Sequence, residues 1–230
     1  MSLYAIGDLH LSFTANKPMD VFGREWKDHV RKIEKNWRGR IGAEDTVVIT
    51  GDHSWGRNLE ESLADLDFIQ SLPGRKILLR GNHDMFWDAK KTYRLNEMFQ
   101  GRLSFLQNNY YAYKEYALVG TKGYCYEGKD SPEHFEKLVK RELERLRISF
   151  ELAAADAAAN SSCSYIILLP VSERWKAGLL RWQRSTGQSR WCIPTATGKP
   201  DIRTAFWERW TGLSISWFHR IISDSGRRRF

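Results

Sequence analysis

Cysteine is scarce and scattered, with three in 230 residues at Cys125, Cys163 and Cys192. An odd number without metal-type spacing argues against a disulfide framework and against a thiolate-held structural zinc, and suits reduced thiols. No run approaches the ~18 apolar residues of a membrane span. The start, "MSLYAIGDLH", lacks the basic residues and long apolar stretch of a secretory signal. A cytoplasmic protein without a membrane partner is the expectation. Histidine is sparse too: there are six, and only His219 lies beyond residue 134. Acidic residues run short at one end of the chain. Residues 1–157 hold 24 Lys and Arg against 24 Asp and Glu, whereas residues 158–230 hold 12 against 4, so the net charge of +8 arises entirely in the last third. Six of the ten tryptophans lie there as well.

What is present in the first two thirds is a repeated theme. "LYAIG" (3–7), "DTVVITG" (45–51) and "KILLRG" (76–81) are apolar runs closed by glycine, and each is followed at once by polar residues. Such runs read as buried strands that end at polar loops. Helical spacing alternates with them. Trp26, Val30, Ile33 and Trp37 predict a helix over 24–37, and "LEESLADLDFIQSL" (59–72) predicts another, stopped by Pro73-Gly74. Alternation of this kind implies an α/β layered domain with its site along one sheet edge. Further on, 104–124 reads as strands and a hairpin with Asn108-Asn109 at the turn. Residues 131–157 read as a long helix with Ser131 as N-cap, Pro132 at the first position and Glu133 in the first turn. "SYIILLP" (164–170) is compatible with a strand, but 171–230 shows no sustained period.

The chemistry gathers at the strand ends. Asp8, His10, Asp52, Asn82, His83 and Asp84 all follow a glycine-closed strand. Carboxylate, imidazole and amide oxygen together suit Mn²⁺, Fe or Zn²⁺. A carboxylate shared by two ions would hold them ~3.5–4 Å apart for displacement at phosphorus. His83, near neutral pKa and beside a carboxylate, is suited to general acid work.

"GDLH" (7–10), "GDHSWG" (51–56) and "GNHD" (81–84) resemble, in order, the first three motifs of the calcineurin-like metallophosphoesterases. The resemblance covers about residues 1–157 and implies a four-layer α/β/β/α sandwich. It also implies two divalent metal ions (Mn, Fe or Zn), Asp8 and His10 on the first, Asp52 bridging and Asn82 on the second. His83 would face the scissile phosphate, with Asp84 orienting its ring. His29 and His134 match no ligand position and are expected on helix surfaces. His53 is expected to be structural, and Trp55, Trp87 and Tyr124 are candidates to line a pocket.

The family completes its site with three later histidines, one after an apolar strand and two in a G-H-x-H turn. Residues 158–230 offer only His219. One permitted back-translation of "YIILLP" (165–170), read from its third base, gives "HYPPT". In the same frame "CIPTATG" (192–198) gives "YSHCHG". The composition break points the same way, so the tail 158–230 is expected to be an out-of-frame translation beginning near Ala157 to Asn160, a conflict between local and global signals rare in natural chains. The C-terminal part of the sandwich would then be incomplete or disordered, and exposed apolar surface would make the protein poorly soluble.

The resulting expectation is a phosphohydrolase that cleaves a phosphate mono- or diester with a dinuclear metal-activated hydroxide, impaired in this chain because the late histidine ligands are missing. Its partner would be a phosphate-ester substrate, with nucleic acid entering only as a substrate. The alternative is a noncatalytic basic protein that binds nucleic acid through the Arg and Trp of 158–230.

Overall fold

The computed structural model describes residues 1–114, 116–122 and 131–158, with further strands at 164–170, 190–195 and 216–217. Strands β1 (Leu3–Ile6), β2 (Thr46–Ile49), β3 (Arg75–Leu79) and β4 (Ser104–Leu106) lie parallel in one sheet, with β9 (Ser216–Trp217) beside β1. A second sheet runs β5 (Tyr111–Tyr113), β6 (Tyr116–Gly120), β7 (Ser164–Pro170) and β8 (Arg190–Thr195). In it β5 and β6 are antiparallel, while β6, β7 and β8 are parallel. Among the described residues four α-helices complete the order: α1 (His29–Arg40), α2 (Leu59–Ser71), α3 (Thr92–Phe99) and α4 (Pro132–Ala158).

Alternation along the strands sorts their side chains into separate cores, because successive residues face opposite sides of a sheet. In the first sheet Ile6, Val47, Ile49 and Leu78 face a core shared with Ile33, Trp37, Leu66, Ile69, Leu95 and Phe99 of α1, α2 and α3. Their neighbours Leu3, Ala5, Val48, Ile77 and Leu79 face the other way and meet Tyr113 and Leu118 of the second sheet. On the far side of that sheet Ala117 and Val119 pack against Leu146, Phe150 and Ala153 of α4. Helix, sheet, sheet, helix is therefore the layer order, the expected four-layer sandwich. Strands buried on both faces need near-continuous apolar runs, which is why "LYAI", "TVVI" and "KILL" lack polar alternation.

Three local expectations need correction. Helix α1 begins at His29 rather than Arg24: residues 24–26 form a 3₁₀ turn, and Asp28 takes a left-handed conformation (φ 56°) that breaks any continuous helix. His29, Ile33 and Trp37 form its buried face, so His29 is a core residue rather than a surface one, and burial lowers its pKa. His134 is exposed as expected. Asn108-Asn109 is no hairpin turn, because β4 and β5 belong to different sheets; the hairpin joins β5 to β6. The N-cap at Ser131 holds, with its hydroxyl accepting from the His134 N–H at 3.2 Å. Among the described residues no helix is long and apolar enough to cross a membrane.

Candidate metal centre

The β1 and β2 loops stay hydrogen-bonded beyond the ends of their strands. Asp8 N donates to Gly51 O at 3.1 Å, His10 N to Asp52 O at 2.9 Å and Leu11 N to His53 O at 3.0 Å. This extension carries Asp8 and His10 alongside Asp52. All three residues have positive φ (56°, 45° and 55°), a conformation that costs non-glycine residues energy and that the surrounding structure must hold in place. Glycine is required next to them for a steric reason. A Cβ on Gly81 would lie 2.1 Å from Asp52 Oδ1, and one on Gly51 would lie 2.7 Å from the Gly81 Cα, so the β2 and β3 loops touch only because both are glycine.

One potential ligand atom from each of Asp8, His10 and Asp52 lies within 4.8 Å of the others. His10 Nε2 is 3.5 Å from Asp8 Oδ1 and 3.9 Å from Asp52 Oδ2. These gaps are too long for good hydrogen bonds but fit atoms arranged about one ion with bonds of ~2.0–2.2 Å. Burial first, and then the neighbouring Asp84 carboxylate, push the Asp52 carboxyl above its usual range, against the hydrogen bond it accepts from the His83 N–H at 2.9 Å. A cation would relieve that cost, so the donor set fits a divalent metal. Asn82 is exposed in the loop after β3, between Gly81, which packs on Asp52, and His83, whose N–H donates to Asp52 Oδ1.

Asp84 departs from its expected part. Its carboxylate accepts from the N–H groups of Gly81 (2.7 Å), Asp52 (3.0 Å) and His53 (2.8 Å), and Oδ2 lies 2.8 Å from His53 Nδ1. Asp84 and His53 are both fully buried. Burial disfavours the Asp84 charge, yet the His53 ring and the backbone donors outweigh it and hold its carboxyl below the usual range. The imidazole it orients is thus His53, not His83, and its main work is to clamp the Asp52 loop. His53 is structural, as expected, but it is tied directly into the site.

The His83 ring packs instead on Trp55, with centroids 4.5 Å apart, and Trp55 stacks on His10 at 4.8 Å and 16°. Trp55 therefore joins His10, a potential ligand, to the His83 side of the cleft, whose wall it lines. Trp87 is a core residue, fully buried with its indole donating to Thr92 Oγ1. Tyr124 and His219 lie outside the described residues.

Two groups near the site carry no sequence motif. Asp65 of α2 is buried and accepts from Ser54 Oγ and from the Phe13 N–H, pinning the β2 loop; burial raises its pKa. Lys122, just past β6, is held down to about 8 by burial and then by the Arg80 guanidinium, while Glu142, Asp52 and Asp84 pull it upward. The lysine in "GTKGY" gives no sign of this, because the charges around it come from the loops after β2 and β3 and from α4.

Two phage proteins share part of the chain. The Gene 66 protein of Mycobacterium phage D29 is 38% identical over 78 residues, 31% of this chain and 39% of the phage protein. The Gene 66 protein of Mycobacterium phage L5 is 34% identical over 77 residues, 34% of this chain and 37% of its own length. The chain thus spans about two fifths of these curated relatives. The crystal structure of AQ665, a protein of unknown function from Aquifex aeolicus, gives a TM-score of 0.40 at 20% identity, covering 84% of this chain and 88% of that one. The profile of the calcineurin-like phosphoesterases matches residues 1–186, past the boundary near 157 that the motifs alone suggested, and the chain belongs to that family.

Proposed function

We propose that this protein is a metal-dependent phosphoesterase whose centre is formed by Asp8, His10, Asp52 and Asn82, with His83 facing the reacting phosphate. The observation that carries the reading is the Asp8, His10 and Asp52 cluster, three potential ligands held in left-handed backbone at adjacent strand ends. Two divalent ions, when bound, would supply Lewis acidity and an activated water. The chain's own residues do the remaining work. Asp52 would lie between the two ion positions, and its Oδ1 also fixes the His83 backbone. His83, half-buried with its ring against Trp55, would give a proton to the departing oxygen. Asp84 and His53, both fully buried, position the Asp52 loop.

Activity of this chain is expected to be low. For the second ion only Asp52 and Asn82 are available among the described residues, and residues 158–230 contain no histidine pair. We extend the reading to propose that the phosphoesterase core ends near residue 157 and that 158–230 is an out-of-frame product; the charge and tryptophan break at that boundary supports it, while the family profile runs on to residue 186. The DNA sequence across codons 150–200 tests it: a single-base correction that restores "HYPP" and "SHCHG" supports the proposal, and a gene whose codons cannot encode those strings removes it. The phosphoesterase reading is tested on chelator-stripped full-length protein. Mn²⁺ or Zn²⁺ should raise its melting temperature and restore hydrolysis of p-nitrophenyl phosphate, and an Asp52→Asn protein that responds to metal like the wild type would refute it.

A further inference from the structure

The cleft beside His83 has a composition that the metal centre does not explain. It encloses about 280 Å³ and is lined by Ala15, Lys17, Trp55, Arg57, His83 and Met85. Drug-sized ligands take roughly 300–1,000 Å³, so this volume suits a smaller group. Two of these lining residues are cationic and none is a carboxylate, whereas the neighbouring centre presents Asp8 and Asp52. His83 lies at the boundary, its backbone bonded to Asp52 and its ring on the cleft wall.

Both cations stand on well-anchored backbone. The Lys17 carbonyl accepts from Ser12 Oγ at 2.7 Å, and its Nζ rests 3.1 Å from the centroid of Trp55, a cation–π contact that holds the ammonium over the cleft. Arg57 precedes the N-terminus of α2. Its N–H donates to Glu61 Oε2 at 2.9 Å, while the Asn58 side chain caps the Glu61 N–H at 2.9 Å. The capping fixes the main chain of Arg57 and leaves its side chain exposed to the cleft. Met85, 64% exposed, supplies an apolar edge.

We propose that this cleft receives the leaving group of the phosphoester, and that Lys17 and Arg57 select a leaving group that bears a phosphate of its own over a neutral alcohol. The inference rests on the phosphoesterase reading and adds the substrate class: compounds with a second phosphoryl group one short bridge away from the scissile one. The geometry explains the choice. A phosphoryl group anchored at the Asp8, His10 and Asp52 cluster, with His83 beside its leaving oxygen, directs whatever follows that oxygen between the ammonium and the guanidinium. An anion there forms charge-assisted hydrogen bonds, while an uncharged alcohol offers neither cation a counter-charge. An anionic second group also lowers the field that the cations place on His83.

Hydrolysis-resistant ligands test this without turnover. Isothermal titration calorimetry on full-length protein at fixed free Mn²⁺ would compare methylenediphosphonate with methylphosphonate, in the wild type and in a Lys17→Met/Arg57→Met protein. The substituted side chains are exposed, and chelation of Mn²⁺ by the ligand in solution cancels between the two proteins. The wild type should prefer the diphosphonate by about tenfold, the order expected for one or two charge-assisted contacts, and the double variant should lose that preference. A wild type with no preference, or a variant that keeps it, overturns the proposal. Failure of the phosphoesterase reading shows elsewhere, as a melting temperature of the chelator-stripped protein that Mn²⁺ leaves unchanged, so the two failures are separable.

Discussion

Where β1 and β2 run out into Asp8 and Asp52, β6 of the facing sheet runs out into Thr121 and Lys122, and the two ends bring opposite charge to neighbouring space. The first edge is a ligand edge: its carboxylates and imidazole converge on one point, on backbone held in a costly conformation. The second is a buffered cation edge. Lys122 faces Arg80, and the Glu142 carboxylate beside them is fully buried and bonded to Thr121 Oγ1 and Arg145 Nη1, both at 2.5 Å. The contrast separates residues that would hold ions from residues that set the potential around them. Only the first kind leaves a motif, because a ligand set needs fixed residue types at fixed places, while a field can be built from any nearby charge.

Removing the clamp under the ligand edge should break the comparison most completely. Asp84→Ala strands three buried N–H groups and the His53 ring, so a loss of about 3–5 kcal/mol is expected in urea denaturation; a smaller loss would mean that the Asp52 loop is held by something else. Asp52→Asn keeps the shape and removes the charge. It should lower kcat/KM about a thousandfold, or about 4 kcal/mol, and weaken Mn²⁺ binding measured by calorimetry. His83→Asn tests whether the ring does chemistry beyond packing on Trp55: a loss of about a hundredfold in kcat is expected, with Mn²⁺ affinity retained.

The cation edge should respond more weakly and in a pH-dependent way. The folded chain holds Lys122 at about 8 against an ordinary 10.5, so between those values the unfolded chain binds the extra proton. Stability should therefore rise with pH across that window, and below about 8 the cost of burying the charge is present in full. Lys122→Met should flatten this rise in urea titrations at pH 7.5, 9 and 10; an unchanged slope would show that another group titrates there.

An α/β layered domain was legible from the chain, because runs such as "TVVI" and "KILL" need burial on both faces and their spacing leaves room for helices, whereas the four-layer order was implied only by the resemblance of the three motifs. The misread portions share a cause. The start of α1 depends on left-handed Asp28, and His29 is buried because its imidazole lies against the backbone of Leu9 and His10 in the β1 loop. The Asn108-Asn109 reading failed because a chain that crosses between sheets and a chain that turns back use the same residues.

By itself the sequence determined which residue types stand at the strand ends and in what order, since glycine, aspartate and histidine at these positions follow from local conformation and donor chemistry. Tertiary structure decided their partners. His53 and Asp84 are 31 positions apart, and no spacing rule reveals that they bond to each other or that Trp55 supports His83 in place of a carboxylate. The physical reason is that hydrogen bonds and ring contacts are satisfied through space, while a sequence records only neighbours along the chain.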